Sequence, residues 1–255
     1  MNKAIKNVPK GTDVPNRNVP KRTWKKTERR IKMKPYVTCY MMMSVDGRID
    51  CAMTEQIEGS KEYYEILNKY NFDACMFGKT TARMHYASGD YIASNNEHFG
   101  KKVIYKALES LKYNVVLDTK GSLCWNTNQI DYEPLIVILS EDVSKEYLMY
   151  LADKKISYIV TGCHKIDLND ALNILHDNFG IKTLGVVGGG HINGSLLDAG
   201  LLDEISILIG PGIDGRDKMA AVFDGIPMDR KPFNLLLKDV RKYNNGVIWL
   251  QYNLK

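Results

Sequence analysis

Cysteine is scarce in this sequence of 255 residues, and long apolar runs are absent. The five cysteines are odd in number and include no Cys-x-x-Cys pair, which disfavours a disulfide framework and a zinc site. No apolar stretch approaches the roughly 20 residues that span a bilayer, and none follows the basic N-terminus as in a secretory signal. We therefore expect a cytoplasmic protein, in a reducing compartment, with no bound metal and no membrane contact.

Net positive charge is absent from most of the chain. Residues 1–34 hold 12 of the 35 Lys and Arg residues but only two acidic ones, whereas the remainder has a net charge of −5. This arm has little apolar content and three prolines, so we expect it to be disordered. A nucleic-acid tether remains open for the arm, but the mildly acidic remainder does not resemble a nucleic-acid-binding surface.

Residues 35–255 have the alternating strand and helix patterns of one α/β domain. Strands are predicted over Tyr36–Met43 and in "DACMFG", "VVLD", "PLIVILS", "ISYIVTG" and "GVVGG". Helical spacing follows Ser60, a candidate N-cap, and a further helix ends at Gly180. Two strand-like runs flank Asn244–Gly246, a strong hairpin signal. This order predicts a mostly parallel central sheet with a C-terminal antiparallel hairpin.

Two strand-to-helix junctions carry the residue types of a phosphate site. In "VVGGGHINGSLL", glycines lead into a helix N-terminus, where backbone N–H groups and the helix dipole favour anions. Gly188 and Gly190 fit the dinucleotide fingerprint, but Asn193 stands at its third glycine position, and no P-loop lysine follows. A tight turn therefore remains as plausible as a ligand site from this motif alone.

The second junction is "FGKTT", Phe77 to Thr81, which could also be a plain helix start with a surface lysine. Ligands of open α/β sheets bind at the carboxyl ends of strands, so two such junctions favour a ligand with several phosphates. The turn "SVDGRID" after the first strand brings Asp46 to the same edge, as a simple Asp-Gly turn or as a functional carboxylate.

The segments "MMMSVDGRID", "DACMFGKTT", "VVLDTKGSL" and "VVGGGHINGSLLDAGLLDEISILIGPGIDG" resemble, in this order, the RibD C-terminal family of riboflavin-biosynthesis reductases. The resemblance covers about residues 35–255. It implies a three-layer fold like that of dihydrofolate reductase, a homodimer, and NADPH as cofactor. The implied activity is that of a 5-amino-6-(5-phosphoribosylamino)uracil reductase, which converts a ribosylamino group to ribitylamino by direct hydride transfer.

The resemblance also implies roles for individual residues. Asp46 is the candidate catalytic residue, and Ser44, Asp46 and Arg48 would face the heterocyclic substrate. The implied cofactor-binding residues are Met43, Gly78, Lys79, Thr80, Thr81, Asp118, Thr119, Gly188, Gly189, Gly190, His191 and Ile192. Among them, Lys79 would pair with the 2′-phosphate, and Gly188 to Ile192 would hold the pyrophosphate.

The substrate half of the pattern departs from the family. Val187 stands where the family usually has a glutamate, and Arg48 stands where it often has lysine. "YNFDA" replaces the usual arginine-containing segment, and "RMHYASGD" replaces an Asp-Asp-Pro segment. The zinc-deaminase signature of the bifunctional relatives is absent, so we expect reduction only.

Two alternatives remain at this stage. A reductase of the same fold could act on a pteridine or another heterocycle. Reduction of dihydrofolate would need a carboxylate on the first helix, with Glu62 or Glu65 as candidates. Alternatively, the chain could be a nucleotide-binding module that its basic arm tethers to nucleic acid, which predicts salt-dependent binding.

Overall fold

The computed structural model describes residues 33–95 and 97–255. The predicted disordered arm, residues 1–34, lies outside this range except for its last two residues, so that boundary remains a prediction. Lys34 forms an ion pair with Asp203. Within the described range, no helix is long and apolar enough to cross a membrane.

The described chain contains thirteen strands and six helices. The strands are β1 (Tyr36–Met43), β2 (Ala74–Gly78), β3 (Gly89–Asp90), β4 (Val103–Tyr105), β5 (Tyr113–Leu117), β6 (Leu123–Cys124), β7 (Gln129–Ile130), β8 (Glu133–Leu139), β9 (Ser157–Val160), β10 (Thr183–Gly188), β11 (Glu204–Ile209), β12 (Leu235–Lys242) and β13 (Ile248–Leu254). The helices are α1 (Cys51–Thr54), α2 (Ser60–Tyr70), α3 (Lys79–His85), α4 (Lys145–Asp153), α5 (Leu168–Phe179) and α6 (Gly190–Asp198).

The main sheet has the order β12-β13-β11-β1-β10-β2-β5-β8-β9-β4. The strands from β11 to β9 are parallel to one another, which places their carboxyl ends at one edge. The C-terminal pair β12–β13 is antiparallel and continues the sheet through β11. Gly246 has a φ of 86° in the connecting turn, a conformation that glycine adopts without a steric penalty. The predicted fold class is confirmed.

Some helix ends have side-chain caps, and others have a glycine at the cap position. Ser144 and Asp167 cap α4 and α5 through their side chains, and Gly180 ends α5 in the left-handed conformation, as predicted. The prediction of Ser60 as an N-cap is wrong, because Gly59 is the cap residue and Ser60 is the first residue of α2. A φ of 130° at that position favours glycine over a residue with a Cβ.

Helices cover both faces of the sheet and give the expected three layers. On one face, α5 and α6 pack over a continuous apolar core built from strands β11 to β9. On the other face, α2 covers β1, β11 and β13, while α3 and α4 cover β5, β8 and β9. Val187 packs against both of these smaller cores. An open groove runs along β10 and β2 between these two smaller cores, and the candidate site lies at its mouth.

Candidate active site

Four predicted site segments follow strands that are consecutive in the sheet. The segments after β1, β10, β2 and β5 begin at Ser44, Gly189, Lys79 and Asp118, respectively. Adjacent strands are about 4.8 Å apart, so the four ends span about 14 Å of one sheet edge. The sheet therefore gathers segments that are far apart in the sequence into one elongated site.

The two glycine junctions touch each other. A Cβ at Gly188 would lie 2.9 Å from Thr81 Oγ1 and 3.2 Å from Phe77 Cβ, closer than normal packing allows. A Cβ at Gly78 would lie 2.5 Å from Ile192 Cδ1. Gly188 therefore allows the close approach of α3 to the end of β10, and Gly78 leaves room for the Ile192 side chain of α6. Since β10 and β2 are neighbours, the two helix N-termini lie side by side at this edge.

Neither helix N-terminus at this edge has a side-chain cap. The N-cap residues are Gly78 for α3 and Gly189 for α6, and neither can supply a side-chain oxygen. The first N–H groups of a helix have no intrahelical partner, so these remain available to phosphate oxygens. Lys79 and Thr80 are exposed beside them, and Thr81 is half-buried. The residues present fit a cofactor with several phosphates.

The N-terminus of α6 is fixed by close backbone contacts with residues 221–225. A Cβ at Gly190 would lie 2.1 Å from the Ala221 carbonyl oxygen, and Asp224 donates its backbone N–H to the Gly190 carbonyl at 3.0 Å. His191 is exposed, and its ring lies against Gly225. His191 can therefore reach a ligand through its backbone N–H, whereas the Ile192 N–H donates to the Gly189 carbonyl at 3.0 Å and the Ile192 side chain packs against protein.

The turn after β1 is held by hydrogen bonds to the segment after β11. Ser44 is buried and donates its hydroxyl to Asp46 Oδ1 at 2.6 Å. Asp46 also accepts the backbone N–H groups of Asp214 and Gly215, at 3.0 and 2.9 Å. The bond from Ser44, followed by these two backbone bonds, holds the pKa of Asp46 far below its ordinary value. Asp46 is therefore an ionised anchor of the turn at neutral pH.

Arg48 completes this turn and has a buried donor without a partner. Its Nη1 donates to the Met219 carbonyl at 2.6 Å, and its backbone N–H donates to Ser44 Oγ at 3.1 Å. Its Nε is buried and has no hydrogen-bond partner in the described chain. A buried unpaired donor is costly, so Nε is a candidate for contact with a ligand. Met43, the last residue of β1, is partly exposed beside it.

Asp118 and Thr119 lie at the outer end of the edge. Asp118 is buried, and its carboxylate accepts the backbone N–H groups of Ser122 and Leu123 and the Ser122 hydroxyl, at 2.6 to 3.1 Å. The Thr119 carbonyl accepts the Ser140 hydroxyl at 2.9 Å. The Asp118 side chain is thus committed to shaping its turn, while Thr119 is partly exposed.

The groove between α2 and α3 opens at this edge and has a volume of about 600 Å³. Val187, Phe77 and Thr81 form its outer end, next to the glycine junctions. Tyr63, Tyr64, Leu67 and Asn68 line it from α2, and His85 and Tyr86 line it from α3 and its C-cap. Its inner end contains the polar residues Lys112, Asn114, Asp131 and Glu133.

Sequence reasoning missed the polar inner end of this groove. Asn114 interrupts the apolar strand "YNVVL", and Glu133 precedes the apolar run "PLIVIL", so both were visible as polar residues in strand patterns. Glu62 and Glu65 do not line the groove. Glu62 bonds Asn245 at 3.0 Å, and Glu65 is exposed, so neither supplies the carboxylate that a pteridine site would need.

Comparisons with known proteins agree with this geometry. A 2,5-diamino-6-ribosylamino-4(3H)-pyrimidinone 5′-phosphate reductase of Methanothermobacter thermautotrophicus is 26% identical over 227 residues, covering 88% of this chain and all of that protein. The structure of a pyrimidine reductase-like protein from Corynebacterium diphtheriae matches with a TM-score of 0.65 at 17% identity, covering 87% of this chain and 92% of that one.

The structure of the riboflavin biosynthesis reductase Rib7 of Saccharomyces cerevisiae matches with a TM-score of 0.58 at 18% identity, covering 87% and 90% of the two chains. These two structures confirm the predicted dihydrofolate reductase-like fold. The model of the RibD C-terminal domain family matches residues 35–249. The chain therefore belongs to the RibD C-terminal domain family.

Proposed function

We propose that this protein reduces the ribosylamino group of a phosphorylated pyrimidine to ribitylamino, with NADPH as the hydride donor. The observation that carries the proposal is the contact between two uncapped, glycine-led helix N-termini at the mouth of a groove. The names of the reductases to which the chain is similar supply the substrate class.

The proposed cofactor lies along the edge formed by β1, β10, β2 and β5. The backbone N–H groups at the starts of α3 and α6 bind the pyrophosphate, and Lys79 pairs with the 2′-phosphate that distinguishes NADPH from NADH. Thr119 lies on the adenosine side. Met43 and Gly188 would hold the nicotinamide, beside Val187 at the outer end of the groove.

The proposed reaction needs a hydride at C1′ of the open-chain imine of the substrate and a proton at the adjacent nitrogen. When bound, NADPH supplies the hydride. Val187 gives the outer end of the groove an apolar wall, which excludes water from C1′. Because Asp46 is held ionised, the proton comes from solvent, and Asp46 acts by positioning the turn that carries Arg48.

Replacing Asp46 with Asn tests this assignment. Loss of the charge weakens the bonds to Asp214 and Gly215, so we expect a higher KM for substrate with a pH profile of kcat unchanged in shape. Asp46 is a catalytic acid instead if the variant loses an ionisation from its kcat profile. Unchanged KM and kcat would remove Asp46 from the site altogether.

We also propose a homodimer formed through β12. This strand pairs only with β13 in the described chain, and Leu236, Leu237 and Val240 on it are exposed to 49%, 61% and 53%. A row of unpaired backbone groups beside exposed leucines is a ready surface for a second chain.

The direct test of the function is a turnover assay that follows NADPH oxidation with the ribosylaminopyrimidine phosphate and, separately, with dihydrofolate. We expect turnover only with the first. Turnover with dihydrofolate alone would establish the alternative pteridine reductase and refute the proposal. Salt-dependent binding to nucleic acid, lost on removal of residues 1–34, would instead favour the tethered binding module.

A further inference from the structure

The inner end of the groove has a defined pattern of hydrogen-bonding groups that the proposed hydride transfer does not use. Asn114 is buried in β5, and its Nδ2 donates to the Ile130 carbonyl at 3.0 Å and to Glu133 Oε2 at 3.3 Å. This amide orients the half-buried Glu133 carboxylate. Among the described residues, no partner is found for Glu133 Oε1. Lys112 lines the same end and has no ion pair within 4 Å in the described chain.

The turn that carries Glu133 is short and tightly constrained. β7 and β8 form a two-residue hairpin through Asp131 and Tyr132, with φ values of 49° and 67°. Two-residue hairpins of this kind match the twist of their strands and hold the following residue in a fixed register. Glu133 is therefore positioned at the head of β8 by main-chain geometry as well as by Asn114.

The charges at this end disfavour a phosphate group. Asp131 and Glu133 are both acidic, and Lys112 is the only lysine or arginine among the groove-lining residues. Burial raises the pKa of Glu133, the neighbouring Lys112 lowers it, and Asp131 raises it further. A neutral ligand edge with two adjacent donors and one acceptor can hydrogen-bond to a carboxylate and a neighbouring ammonium group. A phosphate dianion, in contrast, would be repelled by the two carboxylates.

The distance from the reaction centre suits a single ring. Asn114 pairs with Cys75, two residues before Phe77, so the inner end begins about 7 Å behind the groove mouth. In a 6-ribosylaminopyrimidine, the C2–N3–C4 edge lies on the side of the ring opposite the reacting substituent. With C1′ near Val187, that edge therefore points toward Glu133 and Lys112.

We infer that Glu133, oriented by Asn114, selects a 2-aminopyrimidin-4-one over the corresponding uracil. The 2-amino group and N3–H donate to the Glu133 carboxylate, and Lys112 donates to the 4-oxo group. The uracil presents a carbonyl at position 2, which repels the carboxylate and leaves it unpaired. This inference rests on the proposed function.

The test compares kcat/KM for the 2,5-diaminopyrimidinone substrate and for the 5-aminouracil substrate, each as the ribosylamino 5′-phosphate, with NADPH. A site built for a donor rejects an analogue that lacks it, so the parent protein should prefer the diamino substrate at least tenfold. Glu133→Gln can donate to a 2-carbonyl, so the preference should fall at least tenfold. Glu65→Gln, which removes an exposed carboxylate from α2, is the matched control and should keep the parental ratio.

Binding gives a readout that does not require turnover. Dissociation constants of both substrates, measured with the non-reducing NADP⁺ present, should show the same preference in the parent protein and its loss in Glu133→Gln. The parent comparison needs no variant, so a folding defect does not obscure it. Equal kcat/KM for both substrates in the parent, or a preference for the uracil, overturns the inference while the proposed function stands. If neither substrate is reduced, the proposed function fails and the inference fails with it.

Discussion

Replacing Gly188 with alanine tests whether the contact between the two glycine junctions forms the cofactor site. The new Cβ would lie 2.9 Å from Thr81 Oγ1, whereas ordinary contacts begin at 3.4 Å, so α3 must move by about 0.5 Å. The backbone φ of Gly188 is not in the left-handed region, so the substitution acts through this contact. Overpacking of this kind costs about 1–3 kcal/mol of stability.

The effect on NADPH should exceed the effect on stability. Displacing the first N–H groups of α3 removes at least one charge-assisted hydrogen bond, worth about 1.5–3 kcal/mol. We therefore expect the dissociation constant for NADPH to rise about 10- to 100-fold. Isothermal titration calorimetry measures it, and thermal unfolding measures the stability, with each kcal/mol lowering Tm by about 2–4 °C.

Gly200→Ala is the matched control. Gly200 lies just beyond the opposite end of α6, its φ is 66°, and a Cβ there meets no atom within 4 Å. The left-handed conformation costs alanine about 1–2 kcal/mol, so the stability loss should be similar. NADPH affinity should stay at the parental value. Equal NADPH affinity in both variants would refute the placement of the phosphates at α3 and α6.

Further predictions concern the cofactor, the stability and the assembly. Lys79→Gln should weaken NADPH binding about three- to tenfold by titration and leave NADH unchanged, since only NADPH has the 2′-phosphate. Burial by itself raises the pKa of Glu204, but hydrogen bonds, chiefly from Lys238, outweigh it and hold the pKa below its ordinary value. Its contribution is therefore present above about pH 4.5 and lost as the pH falls, so the acid loss of Tm should be smaller in Glu204→Gln. Leu237→Lys should yield monomers by analytical ultracentrifugation, whereas Leu111→Lys, at an isolated exposed leucine, should not; dimers in both variants would exclude β12 as the interface.

Local patterns were sufficient for most elements. Asn244–Gly246 predicted the hairpin because few residues adopt that turn, and Gly180 predicted the end of α5 because its left-handed conformation favours glycine. The prediction of Ser60 as the cap failed because the cap residue of α2 needs a φ of 130°, which Gly59 adopts. The residue types around Ser60 did not indicate this backbone conformation. The glycines of both junctions were also recognisable, although their contact was not.

Contacts between distant segments could not be predicted in the same way. Ser44 and Asp46 were expected to face a substrate, yet their side chains bond to each other, and Asp46 also binds the segment after β11, some 170 positions later. The groove was not predicted, because its walls come from α2, α3 and the β7–β8 turn. In the sequence, Asn114 and Glu133 are isolated polar residues in two separate apolar strands. Only the sheet brings their side chains into contact.

The sequence by itself determined the strand and helix periodicity, the glycine-led junctions and the resemblance to a reductase family, because these depend on neighbouring residues. Only the tertiary structure decided that Gly188 touches Thr81, that Asp46 is an ionised anchor, and that Glu133 lies at the inner end of a groove. Parallel strand pairing is the physical reason. It brings together residues from strands β1, β10, β2 and β5, whose order in space differs from their order in the chain.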